Sequence, residues 1–229
     1  MNKRTLIIIL LALVASHFTL NAQKKKAPKM ETNLDSVSYS IGSLFGGNLK
    51  NYGFTDINVK LFTRAIEDAL KTQDTIIKPD VANEIVRKAV TKIQEQKAAK
   101  NLADGKAFLE KNKKEAGVIE LPSGLQYKVL VEGAGESPKA DSQVTAHYKG
   151  TLLDGKTFDS SFDRGEPMKF GVSDVIEGWK EALQLMKPGA KWKLFVPANL
   201  AYGENPQPGG PIAPNMVLIF EVELISIGE

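Results

Sequence analysis

The chain contains no cysteine. That absence excludes disulfides, thiolate catalysis, cysteine-ligated zinc and a lipid-modified N-terminal cysteine. Histidine is nearly as scarce, with only His17 and His147 among 229 residues. Charge of one sign is also lacking: the formal net charge is +3. A nucleic-acid footprint would need a concentrated basic patch, so no nucleic-acid partner is expected. GxSxG, HExxH, P-loop and Gly-rich dinucleotide motifs are all missing, and no nucleophile–base pair emerges. The chain therefore calls for no cofactor and no metal.

What remains is ordinary globular material, 42% hydrophobic and 25% charged, with room for a moderate domain plus an accessory module. Lys3 and Arg4 precede an unbroken apolar run, Leu6 to Ala15, that Ser16 and His17 interrupt. This pattern predicts a signal peptide over residues 1–22, cut after Ala22 to leave Gln23 first. An uncleaved anchor is the alternative, but the run is short for a spanning helix. Export to the periplasm is expected, with outer-membrane attachment or secretion left open. Cleavage would remove two basic residues and no acid, bringing the charge from +3 to +1. It would also leave His147 as the sole histidine, excluding a multi-histidine metal site.

Residues 23–32 carry Lys24, Lys25 and Lys26 without apolar periodicity and read as a flexible tail. Helical spacing then begins at Asn33 with Leu34, Val37, Ile41, Leu44 and Leu49, and Gly53 is a natural stop. A second amphipathic stretch holds Val59, Phe62, Ile66 and Leu70, with Asn58 as candidate N-cap. Two short helices bury too little surface to be secure alone, so residues 33–79 are expected to form a dimerisation module. A third helix is predicted within residues 80–117, running to about Glu115 and ending at Gly117, roughly 54 Å for about 36 residues at 1.5 Å per residue. Gly105 is its one weak point, and its second half is mostly polar, which predicts an arm crossing solvent.

After Gly117 the pattern changes. Leu125, Tyr127, Val129 and Val131 alternate, as do Val144, Ala146 and Tyr148, and Val217 to Ile227 forms a long strand candidate. One helix is suggested from Val175 to Met186, closed by Lys187-Pro188-Gly189. The expected class is α+β: a C-terminal antiparallel sheet over residues 118–229, wrapped around one short helix. Aromatics cluster at turns and strand ends: Tyr148, Phe158, Phe170, Trp179, Tyr202 and Phe220.

VTAHYKGTLLDGKTFDSS, VIEGWKEALQLMKPG, VPANLAYG and VLIFEVELISI follow one another in this domain. In type and order these blocks resemble FKBP-type peptidyl-prolyl cis/trans isomerases. The upstream YSIGSLFGGNLKNYG and SGLQYKVL resemble the dimeric, long-helix bacterial branch of macrophage infectivity potentiator type. The resemblance implies that Trp179 floors a proline pocket walled by Tyr148, Phe158, Phe170, Val175, Ile176 and Phe220. It implies that the Ile176 N–H and the Tyr202 hydroxyl bind peptide carbonyls. Asp159 would sit at the rim beside Arg164 and the Tyr148 hydroxyl, and Ile212 would close one side. Met168 stands where some relatives carry a pocket phenylalanine, and loop 203–214 varies in length among them.

Each residue also has a structural reading, as core packing for the aromatics or a surface ion pair for Asp159 and Arg164. His147 alternates with Ala146 and Tyr148 and is expected to face away from the pocket. The implied function is isomerisation of X–Pro bonds in unfolded or exported polypeptides, with chaperone capacity and macrolide FKBP ligands admitted. A non-catalytic holdase using the same pocket and arms is the alternative, and a purely structural surface protein is a third.

Overall fold

The first two helices begin where the sequence supplies a side-chain cap. The computed structural model describes residues 29–71, 75–207 and 209–228, so the expected leader and Lys24 to Lys26 lie outside the described residues. The described residues divide into two compact units, one up to Asn48 and one from Leu49 on. Helix α1 (Asn33–Tyr52) opens at Thr32, a residue assigned above to the tail. Its Oγ1 accepts the Asp35 N–H at 3.1 Å while Asp35 Oδ2 accepts the Thr32 N–H at 2.8 Å. This reciprocal box satisfies two otherwise orphaned donors. Gly53, at φ 92°, ends the helix in the left-handed conformation that favours glycine. No residue of α1 is buried: Leu34 and Leu44 are both 73% exposed.

Helix α2 (Val59–Lys71) is capped by Asn58, whose Oδ1 accepts the Leu61 N–H at 3.2 Å, and it too buries nothing. Helix α3 (Pro79–Asn112) carries proline at its start, where the missing N–H costs nothing. It ends three residues before the expected Glu115.

The second half of α3 departs from the expectation of an arm crossing solvent. Its last turns lie on the sheet domain. Gly105 is buried there, and a Cβ on it would stand 2.7 Å from Val217 Cγ2. Phe108 meets Phe195 with ring centroids 5.9 Å apart. Asn112 Nδ2 donates to Gln126 Oε1 at 2.9 Å, and Gln126 Nε2 returns a bond to the Leu109 carbonyl at 3.0 Å. Gln126 is fully buried, so these bonds offset its desolvation. The contact stripe is built of Asn, Gly and Phe rather than Leu and Ile, which is why apolar periodicity did not reveal it.

Among the described residues seven strands form one antiparallel sheet: β1 (Val118–Glu120), β2 (Gln126–Val131), β3 (Gln143–Thr151), β4 (Thr157–Ser160), β5 (Met168–Gly171), β6 (Lys191–Val196) and β7 (Leu218–Gly228). Their order is β1-β2-β6-β7-β3-β4, with β5 paired to β3. A bulge between Val129 and Val131 turns Val131 outward to half exposure, so the alternation expected on β2 stops one residue early. A short helix, α4 (Ser161–Arg164), follows β4. Helix α5 (Glu177–Leu183) is shorter than expected, because Val175 and Ile176 are extended and Ile176 serves as its N-cap. Trp179, Ala182 and Leu183 of α5 pack on Val144, Ala146, Leu194, Val196, Phe220 and Val222 of the sheet. That layer is the core, and the pocket opens at one end of it.

Candidate active site

Strands β3, β4, β5 and β7 and helix α5 deliver most of the pocket's side chains. Register sets Tyr148 of β3 opposite Val222 and Gly150 opposite Phe220 of β7. A Cβ at Gly150 would lie 2.5 Å from Phe158 Cζ and 3.0 Å from Phe220 Cε1. Glycine is thus required for Phe158 and Phe220 to meet edge to face across it, at 5.6 Å and 87°. Helix α5 contributes Trp179, which is 5% exposed. Tyr148 and Phe220 stand edge-on to its indole at 5.3 and 5.2 Å, and Phe170 is tilted at 5.7 Å. Such T-shaped pairs set positive ring edges on a negative ring face.

These rings open onto a cavity of about 510 Å³. Tyr148, Phe158, Asp159, Met168, Phe170, Val175, Ile176, Trp179, Tyr202 and Phe220, all anticipated from sequence, line it. Arg164 stands behind Asp159, and Ile212 packs at the edge of the core without lining the cavity. Asp174 lines the wall and was not anticipated; nothing in its spacing marks it. A second hollow of about 400 Å³ lies between Gly53–Asp56 and Ile93–Lys100 of α3; Phe54 is its one aromatic, beside the polar Thr55, Asp56, Gln96, Lys97 and Lys100.

The polar groups at the rim satisfy one another. The Tyr148 hydroxyl donates to Asp159 Oδ2 at 2.5 Å and accepts from Arg164 Nη2 at 2.8 Å, while Arg164 Nη1 pairs with Asp159 Oδ1. Burial works against the Asp159 charge, but hydrogen bonds from Tyr148 and Arg164 and the guanidinium charge outweigh it and hold the carboxyl below its usual range. Burial, then the bond to Asp159, pushes the Tyr148 phenol up. At neutral pH the rim therefore offers a carboxylate and a neutral phenol, and neither is poised to exchange a proton. Three donors at the site remain uncommitted. Among the described residues the Ile176 N–H and the Tyr202 hydroxyl have no hydrogen-bond partner, and Tyr202 is half exposed at the mouth. The indole N–H of Trp179 is buried without an acceptor; so is that of Trp192 elsewhere in the core, so this alone does not mark the site.

His147 faces away, as expected. It stacks on Phe162 at 4.5 Å, and its Nδ1 lies 2.9 Å from Ser161 Oγ. That buried hydroxyl accepts the Tyr148 N–H and donates to the Tyr148 carbonyl, fixing the backbone from which Tyr148 enters the pocket.

An antiparallel sheet folded on one helix, with an indole-floored apolar pocket between them, is the arrangement that the resemblance to FKBP-type isomerases implied. The family described as FKBP-type peptidyl-prolyl cis-trans isomerase matches residues 134–225. The domain amino terminal to FKBP-type peptidyl-prolyl isomerase matches residues 34–129. Outer membrane protein MIP of Legionella longbeachae is 43% identical over 208 residues, 88% of each chain. Peptidyl-prolyl cis-trans isomerase Mip of Coxiella burnetii is 38% identical over 230 residues, covering 96% of this chain and 97% of its own. The crystal structure of FkpA from Escherichia coli is similar at a TM-score of 0.66 and 34% identity, covering 87% of this chain and 98% of that one. The chain belongs to the FKBP-type peptidyl-prolyl cis-trans isomerase family and is an enzyme of that class.

Proposed function

We propose that the chain is exported, dimerises through residues 33–79 and isomerises X–Pro bonds in unfolded polypeptides by binding the twisted amide in the Trp179 pocket. The observation that carries this reading is the indole floor, ringed by three aromatic side chains and open to a cavity large enough for a prolyl ring. Rotation about a peptide bond meets a barrier of about 18–20 kcal/mol, maintained by amide resonance. X–Pro bonds are suited as substrates because their two isomers lie within about 1 kcal/mol. Twisting removes resonance and makes the carbonyl less polar, so an apolar pocket favours the twisted amide over the planar, better hydrated one. The Ile176 N–H and the Tyr202 hydroxyl supply donors aligned to the turned carbonyls. Each 1.4 kcal/mol or so of such preference is worth about tenfold in rate. Asp159, Arg164 and Tyr148 fix the rim and need not react; Phe158, Met168, Phe170, Val175 and Phe220 exclude water, and Ile212 flanks the mouth.

The unburied apolar faces of α1 and α2 support dimerisation and a chaperone role for the paired arms. In this reading residues 1–22 are a leader, 80–117 connect, and 118–229 isomerise, with the last turns of α3 docked on the isomerase sheet. A relative named as an outer membrane protein supports export, with the periplasm the favoured destination. The same cavity suits macrolide FKBP ligands. The test is cis-to-trans conversion of a short X–Pro peptide by the wild type, Trp179→Leu and Asp159→Ala. Acceleration lost in Trp179→Leu and reduced in Asp159→Ala is expected. A folded wild type that binds the peptide without accelerating it would leave the holdase reading instead.

A further inference from the structure

Residues 203–207 and 209–216 lie between Tyr202, at the mouth of the cavity, and β7. This loop has little support of its own. Pro206, Pro211 and Pro214 have no N–H to donate. Among the described residues its internal backbone bonds are Gly210 N–H to the Gln207 carbonyl at 3.4 Å and Asn215 N–H to the Gly203 carbonyl at 2.9 Å. What holds its returning foot is helix α3. Asn101 Nδ2 donates to the Pro214 carbonyl at 2.9 Å, and Asn215 Nδ2 reaches the Ala98 carbonyl at 3.5 Å. Val217, next along, lies against Gly105. Positions 98, 101 and 105 fall on one helical face, and they meet 215, 214 and 217 respectively. Asn215 is the one non-glycine among the described residues with positive φ, at 60°. Its turn is held by bonds at both ends.

We propose that Asn101 is a positioning residue for the isomerase: it seats loop 203–216 and so sets preference for the residues flanking proline. This rests on the reading of Tyr202, at the start of the loop, as substrate-facing. Asn101 touches no part of the cavity, so its influence must pass through the Pro214 carbonyl to the loop. Prolines stiffen the loop between anchors, so releasing one foot shifts the segment as a body. The connecting helix thereby becomes part of the specificity apparatus.

The full chain is used, with Asn101→Leu removing the donor at similar size and Asn101→Gln retaining one. KM and kcat are read for a series of Xaa–Pro peptides that differ before proline. Backbone amide resonances of 209–213 are followed alongside. Asn101→Leu is expected to raise KM about fivefold for bulky Xaa, the ratio set by one net hydrogen bond, with kcat held and the order of preference changed. Loop resonances should move, and Asn101→Gln should restore the wild-type order. An unchanged order with unmoved resonances overturns the proposal, as does a uniform fall in kcat that tracks lost stability. Should the wild type bind but not turn over these peptides, the isomerase reading fails separately, and the order of their Kd values still decides the role of Asn101.

Discussion

Substituting Gly105 by alanine sets two effects of similar size against each other. In a solvated helix interior alanine is favoured over glycine by about 0.8–1.0 kcal/mol. At Gly105, however, the added Cβ would stand 2.7 Å from Val217 Cγ2, inside any normal contact, with the Asn215 carbonyl oxygen 4.0 Å away. Val217 is buried, and its branched side chain has no flexible end to give way. Overpacking of this kind costs about 1–3 kcal/mol. The clash wins, for a net loss of about 1 kcal/mol and a fall in Tm of about 2–4 °C for a chain of this length. Thermal unfolding followed by circular dichroism, at fixed protein concentration because association shifts Tm, measures it. Pairing the change with Val217→Ala should recover part of the loss. A rise in Tm on Gly105→Ala alone would mean the propensity gain is unopposed. Docking of α3 on the sheet would then be refuted.

Gly150→Ala should push Phe158 and Phe220 apart, since its Cβ would overlap the Phe158 ring edge; kcat/KM for an X–Pro peptide is expected to fall about tenfold or more. The Asp159 carboxyl titrates lower folded than unfolded, so its contribution to stability is complete above the ordinary value near 3.9 and fades as pH falls below it. Urea unfolding of wild type and Asp159→Asn should differ at pH 7 and converge toward pH 3, by a small amount because both partners of the ion pair are half exposed. Leu44→Glu, on the exposed face of α1, should convert a dimer to a monomer in sedimentation; a wild-type monomer at micromolar concentration would remove dimerisation altogether.

The pocket was legible because its residues lie in contiguous blocks with strong local character. The HYKG stretch of β3, the EGW start of α5 and the alternation of β7 lie in the blocks that carry the family resemblance, and that resemblance implied ten of the lining side chains. Physics not carried by apolar spacing was missed. The bulge that exposes Val131 depends on pairing with β6. The docking of α3 runs through Asn101, Gly105 and Asn112, residues whose polarity or smallness hides a contact made by hydrogen bonds and close approach. Asp174 reaches the cavity because a 3₁₀ turn at Val172–Asp174 brings it there, a tertiary accident of the extended segment before α5. Ile212 was expected to close the pocket, but it sits on a proline-rich loop whose path is set by the helix beneath it.

The central claim is that the pocket lowers the rotational barrier by preferential binding, with no proton in flight. It is tested most directly by kcat/KM for an X–Pro peptide in H₂O and D₂O. Rates equal within error, together with a flat profile from pH 6 to 8, are predicted, because the rim carboxylate and phenol hold fixed protonation states there. A marked slowing in D₂O, or a rate that titrates within that range, would place proton transfer in the rate-limiting step and contradict the account.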